Sequence, residues 1–555
     1  MENRLILAFA LSFLVLIIWS YLFAPRMKPT VPDDGSIHEE KKDSVSEKIE
    51  TTVSPPSISP GAESVTDTET VHKIEKKEIL VETPLYRALF SNKGATITSF
   101  KLKEYRVTID PDSPPVELVN LENDNNDSFS IRFGNKTTLG EENLFYSVSE
   151  ESVILTSDSA PRDLTFKCLS SDGVTIDQVF RFYADRYDID LYITLKNHSE
   201  LQSEGSIMAL LKNLPPGKKS NYYAFSGIAL LLNDELEEIK PKKMEEDKFL
   251  SGRIDWMAYE NDYFMSAIIP EDQKEGSFTG KLLHSGIIEA AYVAPPISLR
   301  PLESLDSRFT LYMGPRDMDI LKKSAKKLDM AINFGRFDII AKPLHFILLY
   351  FNRFTHNYGI SIILLTVLIK IIFWPLTHKS YKSMKEMQKI QPLMAKIREK
   401  YKNDREQMQR EMMGLYKTYK VNPMSGCLPL LIQFPILFAM FRILGNSIEL
   451  RHAPFTLWIT DLSSPDRLFN FSFGIPFMSP PYGIPVLTLL MGASMFIQQK
   501  MAPAPGDPSQ AKVMMFLPII FTIMFINFPS GLVLYWLVNN ILSIGQQYRI
   551  KKASN

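Results

Sequence analysis

Five apolar runs of about membrane-spanning length crowd the last third of this 555-residue chain, and a sixth stands near its start. About 20 predominantly apolar residues cross a ~30 Å hydrocarbon core. Inside that core every backbone N–H and C=O must be satisfied internally, so such runs have to be helices. The runs are placed at 5–24, 358–377, 424–444, 484–501, 511–528 and 530–548, bounded by Pro, Gly, aromatic or charged residues. One of them, LLTVLIKIIFWPLT, contains Lys370. A charge at the centre of a span costs roughly 2.5–3.5 kcal/mol even on lenient insertion scales. Lys370 therefore either snorkels to water past Trp374, about 6 Å away at 1.5 Å per residue, or occupies polar surroundings.

Outside the spans the chain divides by composition. The run at 1–24 is longer than the ~7–15-residue core of a secretory signal and reads as an uncleaved anchor. Residues 25–78, typified by TTVSPPSISPGAESVTDTET, lack the apolar content that offsets ordering a backbone, and read as a flexible tether. From 79 to 318 short alternating runs appear. In YDIDLYITLKN, Ile189, Leu191, Ile193 and Leu195 share one face, and Asp190, Tyr192, Thr194 and Lys196 the other. That period of two marks half-buried antiparallel strands, and their number suggests a large β-sandwich. Residues 319–357 form a connector. Its first part predicts an amphipathic helix with Ile320, Leu321, Leu328 and Ile332 opposite Lys322, Lys323, Lys326 and Lys327. Such a helix suits either a membrane surface or packing on the sandwich.

Orientation follows from the loops. The 378–423 connection carries twelve Lys and Arg against five acidic residues, and the 549–555 tail adds Arg549, Lys551 and Lys552, whereas the 446–482 loop offers only Arg451 and Arg467. The positive-inside rule places the first loop and the tail in the cytoplasm. With six spans the N-terminus is then also cytoplasmic and the sandwich lies on the opposite side. Arg26 and Lys28 pull weakly the other way.

The 378–423 loop is itself patterned. Met384, Met387, Ile390, Met394, Ile397 and Tyr401 step by threes and fours. After KNDRE the spacing resumes at Met408, Met412, Leu415 and Tyr419. This predicts an antiparallel helical hairpin, kinked at Pro392. Its methionines suit either a self-satisfied seam or an adaptable surface for apolar partners. Within the spans, Thr366, Gln433, Ser494, Gln498, Thr522, Asn527, Asn539 and Asn540 add polar groups. Singly each is helix-to-helix glue. Together with a charge they suggest a hydrated concavity with Lys370 as a cationic attractor for anionic guests.

Several classes are disfavoured. A net charge of −1 gives no electrostatic case for DNA. CxxC, HExxH, GxxxxGK and GxGxxG patterns are absent, so neither a metal nor a nucleotide cofactor is expected, and no enzyme is indicated.

The blocks HNYGISIILLTVLIKIIFWPLT, VNPMSGCLPLLIQFPILFAMF, IELRHAPFTLWITDLSSPD and FPSGLVLYWLVNNILSIGQQYRI resemble the signature segments of the YidC/Oxa/Alb membrane protein insertases. The layout of anchor, tether and β domain resembles the Gram-negative YidC form. The resemblance implies a polytopic α-helical inner-membrane protein with a five-helix core, an N-terminal anchor and an all-β periplasmic sandwich similar to sugar mutarotases. It further implies a hydrophilic groove with its basic residue at Lys370, polar positions at Thr366 and Gln433, and a client-contacting aromatic pair at Tyr535 and Trp536. Arginine is common in the family at the position of Lys370. This chain keeps the charge and loses the planar fork. The implied partners are nascent membrane proteins, lipid, the ribosome (at the hairpin, where Met384, Met387, Met394, Met408 and Met412 are the candidate contacts), targeting factors and the Sec translocon. Two rival readings remain at this point: a secondary transporter with an anion site at Lys370, disfavoured by the lack of an inverted repeat, and a membrane-tethered carbohydrate-binding protein. Glu260 and Asp262 in WMAYENDYF are expected at the surface or in a turn.

Overall fold

The computed structural model describes residues 75–121, 128–134, 144–170, 172–215, 225–272, 275–325, 327–421, 428–501 and 508–552. The expected anchor, the tether up to residue 74, Cys427 and residues 553–555 of the tail lie outside these. Strands fill the first part, from Glu78–Glu82 to Ser304–Pro315. Among the described residues a five-stranded sheet packs on a fourteen-stranded one. In the larger sheet Asp188–Asn197 pairs antiparallel with Val174–Phe182 and Ser304–Pro315, placing Leu191 opposite Phe180 and Phe309. Ile189, Leu191, Ile193 and Leu195 are buried as their alternation requires, and Lys196 is exposed. The two sheets are joined by aromatic rings: Phe90 of the smaller sheet meets Phe166, Phe180 and Phe182 of the larger at centroid distances of 6.1, 5.2 and 5.6 Å. The edge contacts to Phe180 and Phe182 add about 0.5–1.5 kcal/mol each to the burial of the rings.

Glu260 is not at the surface. It ends the strand Lys248–Glu260, is buried, and pairs with Arg316 at 3.0 Å. Arg316 also donates to the carbonyls of Asn261 and Ala331, at 3.0 and 2.7 Å. Burial pushes the Glu260 carboxyl up to about 7 even though Arg316 pulls it down, and Glu238 adds to the rise. The polar text of WMAYENDYF concealed this because the strand runs one residue further than the turn residues Asn261 and Asp262 suggest. Asp262 does lie in the turn before Phe264–Pro270.

The connector differs from its expected form. Helix α1 (Met318–Lys323) stops after six residues, and a 3₁₀ turn, Leu328–Ala331, follows. Leu321 and Leu328 are fully buried, and Trp256 Nε1 of the sandwich donates to the Lys327 carbonyl at 3.1 Å. This stretch is packed on the sandwich. The amphipathic helix comes later, as α2 (Asp338–Thr355), with Ala341, His345 and Leu348 buried and Ile339, Phe346, Tyr350 and Phe354 exposed.

The helical part continues with α3 (Tyr358–Ile372), α4 (Trp374–Lys400), α5 (Arg405–Thr418), α6 (Leu428–Asn446), α7 (Val486–Met501), α8 (Pro508–Phe525) and α9 (Ser530–Lys552). Asn357 caps α3 by accepting from the Ile360 N–H, and Asp404 caps α5 by accepting from Gln407. The run expected as one span over 358–377 is broken at Phe373, where α3 and α4 meet at a 66° bend. Pro375 explains the break: it has no N–H for the carbonyl one turn back and crowds the residue before it. Pro392, where the kink was expected, sits inside an uninterrupted α4. Among the described residues no single helix is both long and apolar enough to cross a bilayer by itself. The bent α3–α4 pair reaches that combined length and composition only across its break, and Ile432–Asn446 and Met514–Phe525 are shorter apolar helical segments. Close approach of α7 and α8 depends on Gly492, where a Cβ would overlap Thr522 Oγ1.

Candidate functional site: a polar groove among the helices

Helices α3, α4, α6, α7, α8 and α9 enclose a cavity of about 240 Å³. Its polar lining is Lys370, Thr377, Gln433, Gln498, Gln499, Asn539, Asn540, Ser543 and Gln547, and its apolar side includes Phe434, Leu437, Met495 and Trp536. No lining residue is acidic. That volume has room for several water molecules and the polar partners to hold them.

Lys370 is buried, and its ammonium points across to α9. It donates to Ser543 Oγ at 2.6 Å and to Asn539 Oδ1 at 3.4 Å. Ser543 in turn donates to the Asn539 carbonyl at 2.7 Å. The side chain is therefore held within the groove by α9. Two neutral acceptors solvate the ammonium without cancelling its charge, which leaves the third N–H free of any carboxylate among the described residues.

The other expected site residues divide. Gln433 lines the cavity and donates to Tyr535 OH at 3.3 Å. Trp536 lines it from α9 and packs on Phe521 and Phe525 of α8, at 5.6 and 4.8 Å. Tyr535 is almost fully buried behind Gln433, and its ring is not part of the lining. Thr366 is buried and returns its hydroxyl to the Ile362 carbonyl at 2.6 Å, within its own helix. Neither is part of the lining they were expected to form.

The hairpin methionines divide in the same way. Met387, Met394 and Met412 pack with Ile390, Leu415, Tyr416 and Val421 in the seam between α4 and α5. Met408 and Met412 line a shallow hollow with Met413, rimmed by Arg398, Lys417 and Lys420. Met384 belongs to the groove: it and Tyr381 line the cavity from α4, beyond the bend at Phe373. Sequence reasoning missed Ser543, Thr377 and Gln547. The signal for Ser543 and Gln547 was the polar stripe Asn539, Asn540, Ser543, Gln546, Gln547 at spacings of three and four along α9, read only as far as its first two members; Thr377, on α4, had no such stripe. Among the described residues no cluster of His, Cys, Asp or Glu is arranged to hold a metal ion.

Comparison with known proteins bears on this arrangement. The model of the "60Kd inner membrane protein" family matches residues 350–555, and that of the "YidC periplasmic domain" matches residues 78–347. The membrane protein insertase YidC of Syntrophobacter fumaroxidans is 40% identical, with 100% of both chains covered. That of Pelobacter propionicus is likewise 40% identical over 100% of both. The chain belongs to the YidC family of membrane protein insertases. A crystal structure of an active YidC insertase aligns over 86% of this chain and 93% of its own, with 18% identity and a TM-score of 0.38. The sandwich, α1 and the first half of α2 fall within the match to the YidC periplasmic domain, and α3 to α9 within the match to the inner membrane protein family. The groove lies wholly within the residues matched by the inner-membrane family.

Proposed function

We propose that this protein inserts newly made proteins into the inner membrane, and helps them fold there, by lending them a polar groove within the bilayer. Lys370 carries the reading: a buried ammonium held by Ser543 and Asn539 in a cavity without a carboxylate. Moving a client's polar tail through hydrocarbon is slow because each charge and backbone group must lose its hydration. A polar concavity reaching in from the cytoplasm shortens the low-dielectric path. The positive charge of Lys370 attracts acidic residues of the tail without the fixed geometry of an arginine fork. The apolar client segment then leaves sideways into lipid past Trp536, driven by burial of its own surface. The described groove offers no phosphate cradle, and partitioning supplies the work.

In this reading the chain crosses the membrane six times. Both termini and the hairpin are cytoplasmic and the sandwich is periplasmic. Thr366 and Tyr535 act from behind the wall, shaping α3 and holding Gln433. The Met408–Met412 hollow with its basic rim receives the ribosome or targeting factors, and the protein works alone or beside the Sec translocon. The test is insertion of a short-tailed single-span client into liposomes holding the purified protein. Insertion above that of empty liposomes is expected. Saturable solute uptake without insertion would instead favour a transporter.

A further inference from the structure

The loop between α6 and α7 has two unlike halves. Residues 447–467 carry Glu449, Arg451, Asp461, Asp466 and Arg467, whereas 468–499 contain no charged residue at all. The charged half binds protein. Arg451 donates to the carbonyls of Arg106 and Val107 in the sandwich and lies over the rings of Tyr263 and Phe264 at 5.8 and 5.5 Å. The uncharged half forms a small hairpin, Leu468–Phe471 with Tyr482–Ile484, that leaves several phenylalanines exposed. Phe469, Phe473 and Phe477 are 67%, 62% and 78% exposed. Phe469 and Phe477 are moreover held at φ of 59° and 64°, a region bulky side chains rarely adopt.

The hairpin is firmly attached. Asn527, in the α8–α9 turn, accepts from the Ser479 N–H at 2.8 Å and donates to the Phe477 carbonyl at 2.9 Å. Arg467 donates to the Ile526 carbonyl and to Pro481 O, both at 2.8 Å. The exposed rings thus sit at the ends of helices whose own outward residues, Ile519, Ile520, Ile523 and Met524 on α8 and Leu489 and Leu490 on α7, are exposed and apolar.

We infer that the 468–484 hairpin is a membrane anchor, its three phenylalanines seated at the boundary between headgroups and acyl chains of the periplasmic leaflet. The inference rests on the spanning orientation proposed above. A rigid, charge-free aromatic patch continuous with the apolar sides of spans is what that boundary accommodates. The charged half of the same loop meanwhile ties the sandwich to it. Seated this way, the hairpin fixes how deep the groove and Lys370 lie in the bilayer.

The test uses full-length protein with Cys168→Ala and Cys427→Ala, in phosphatidylcholine–phosphatidylglycerol vesicles. A nitroxide is placed in turn at Phe473→Cys, Phe477→Cys, Ile520→Cys on α8 and Phe249→Cys on the exposed sandwich surface. Collision with oxygen is compared with collision with a water-soluble nickel chelate. Positions 473 and 477 should favour oxygen several-fold more than 249 and less than 520, which puts them at interfacial depth. If they match 249 while 520 stays in lipid, the anchor is wrong and the spans stand. If 520 is aqueous too, the spanning orientation falls and the anchor with it. Shielding of 473 and 477 from both reagents would show a protein partner or second copy there, and would overturn the inference.

Discussion

Burial of Glu260, only partly offset by its ion pair with Arg316, makes the sandwich's stability depend on pH in an unusual direction. Burial raises the Glu260 carboxyl to about 7, above its ordinary value of 4.5. The folded state therefore holds this proton over a range where the unfolded chain has lost it, and stability falls as pH rises from about 4.5 through 7. Linkage puts the loss between pH 5 and pH 8 at roughly 2–3 kcal/mol for this one group. Asp317, whose carboxyl burial also raises, pushes the same way. Glu260→Gln should flatten the profile without abolishing it. Arg316→Met should cost about 3–5 kcal/mol above pH 7, where Glu260 would be a buried charge without its partner, and markedly less at pH 5. Cys168, buried on the strand Arg162–Leu169, is a local reporter. In a Cys427→Ser background, its labelling by a neutral disulfide reagent across a urea series, corrected at each pH for thiolate fraction, gives the sandwich's unfolding midpoint. A midpoint that rises from pH 5 to pH 8, or one whose pH slope is unchanged in Glu260→Gln, would refute the reasoning.

Two further outcomes follow from packing. Gly492→Ala drives a methyl into Thr522 Oγ1 and should cost about 1–3 kcal/mol. Thr522→Ala in the same chain should restore most of it, read as recovery of the monodisperse fraction after heating in detergent. Ile390→Ala empties the centre of the hairpin seam beside Met394 and Val421, at about 2–5 kcal/mol. It should speed tryptic cleavage at Lys396 and Lys402 while Cys168 stays protected. Equal cleavage of both proteins would mean that the seam does not hold the hairpin closed.

Much of this architecture was legible because its signals are local and periodic. Alternation in 187–197 gave the sheet face, and threes and fours in 384–419 gave the hairpin. Runs of apolar residues gave α6, α7, α8 and α9 to within a few positions. What escaped was set by groups far apart in the chain. Lys370 and Ser543 are 173 residues apart and meet only when α3 lies on α9. Glu260 reads as a turn residue until Arg316 is brought against it from the end of another strand. The single helix expected from 318 ignored that Leu321 and Leu328 would be drawn onto the sandwich with Lys327 at a φ of 64° between them. The bend at Phe373 was foreshadowed by Pro375, yet the apolar run continues through it, and hydropathy alone places no break there.

The central claim is that the charge of Lys370 acts on the client from within the groove. The direct measurement is insertion of single-span clients, with and without acidic residues in their tails, into liposomes containing the Lys370, Lys370→Arg or Lys370→Met protein. The account predicts that Met slows insertion of acidic tails selectively and that Arg restores it. Neutral tails should differ little among the three. If all three proteins insert every client alike, Lys370 contributes no attraction, and the groove works by its polarity alone.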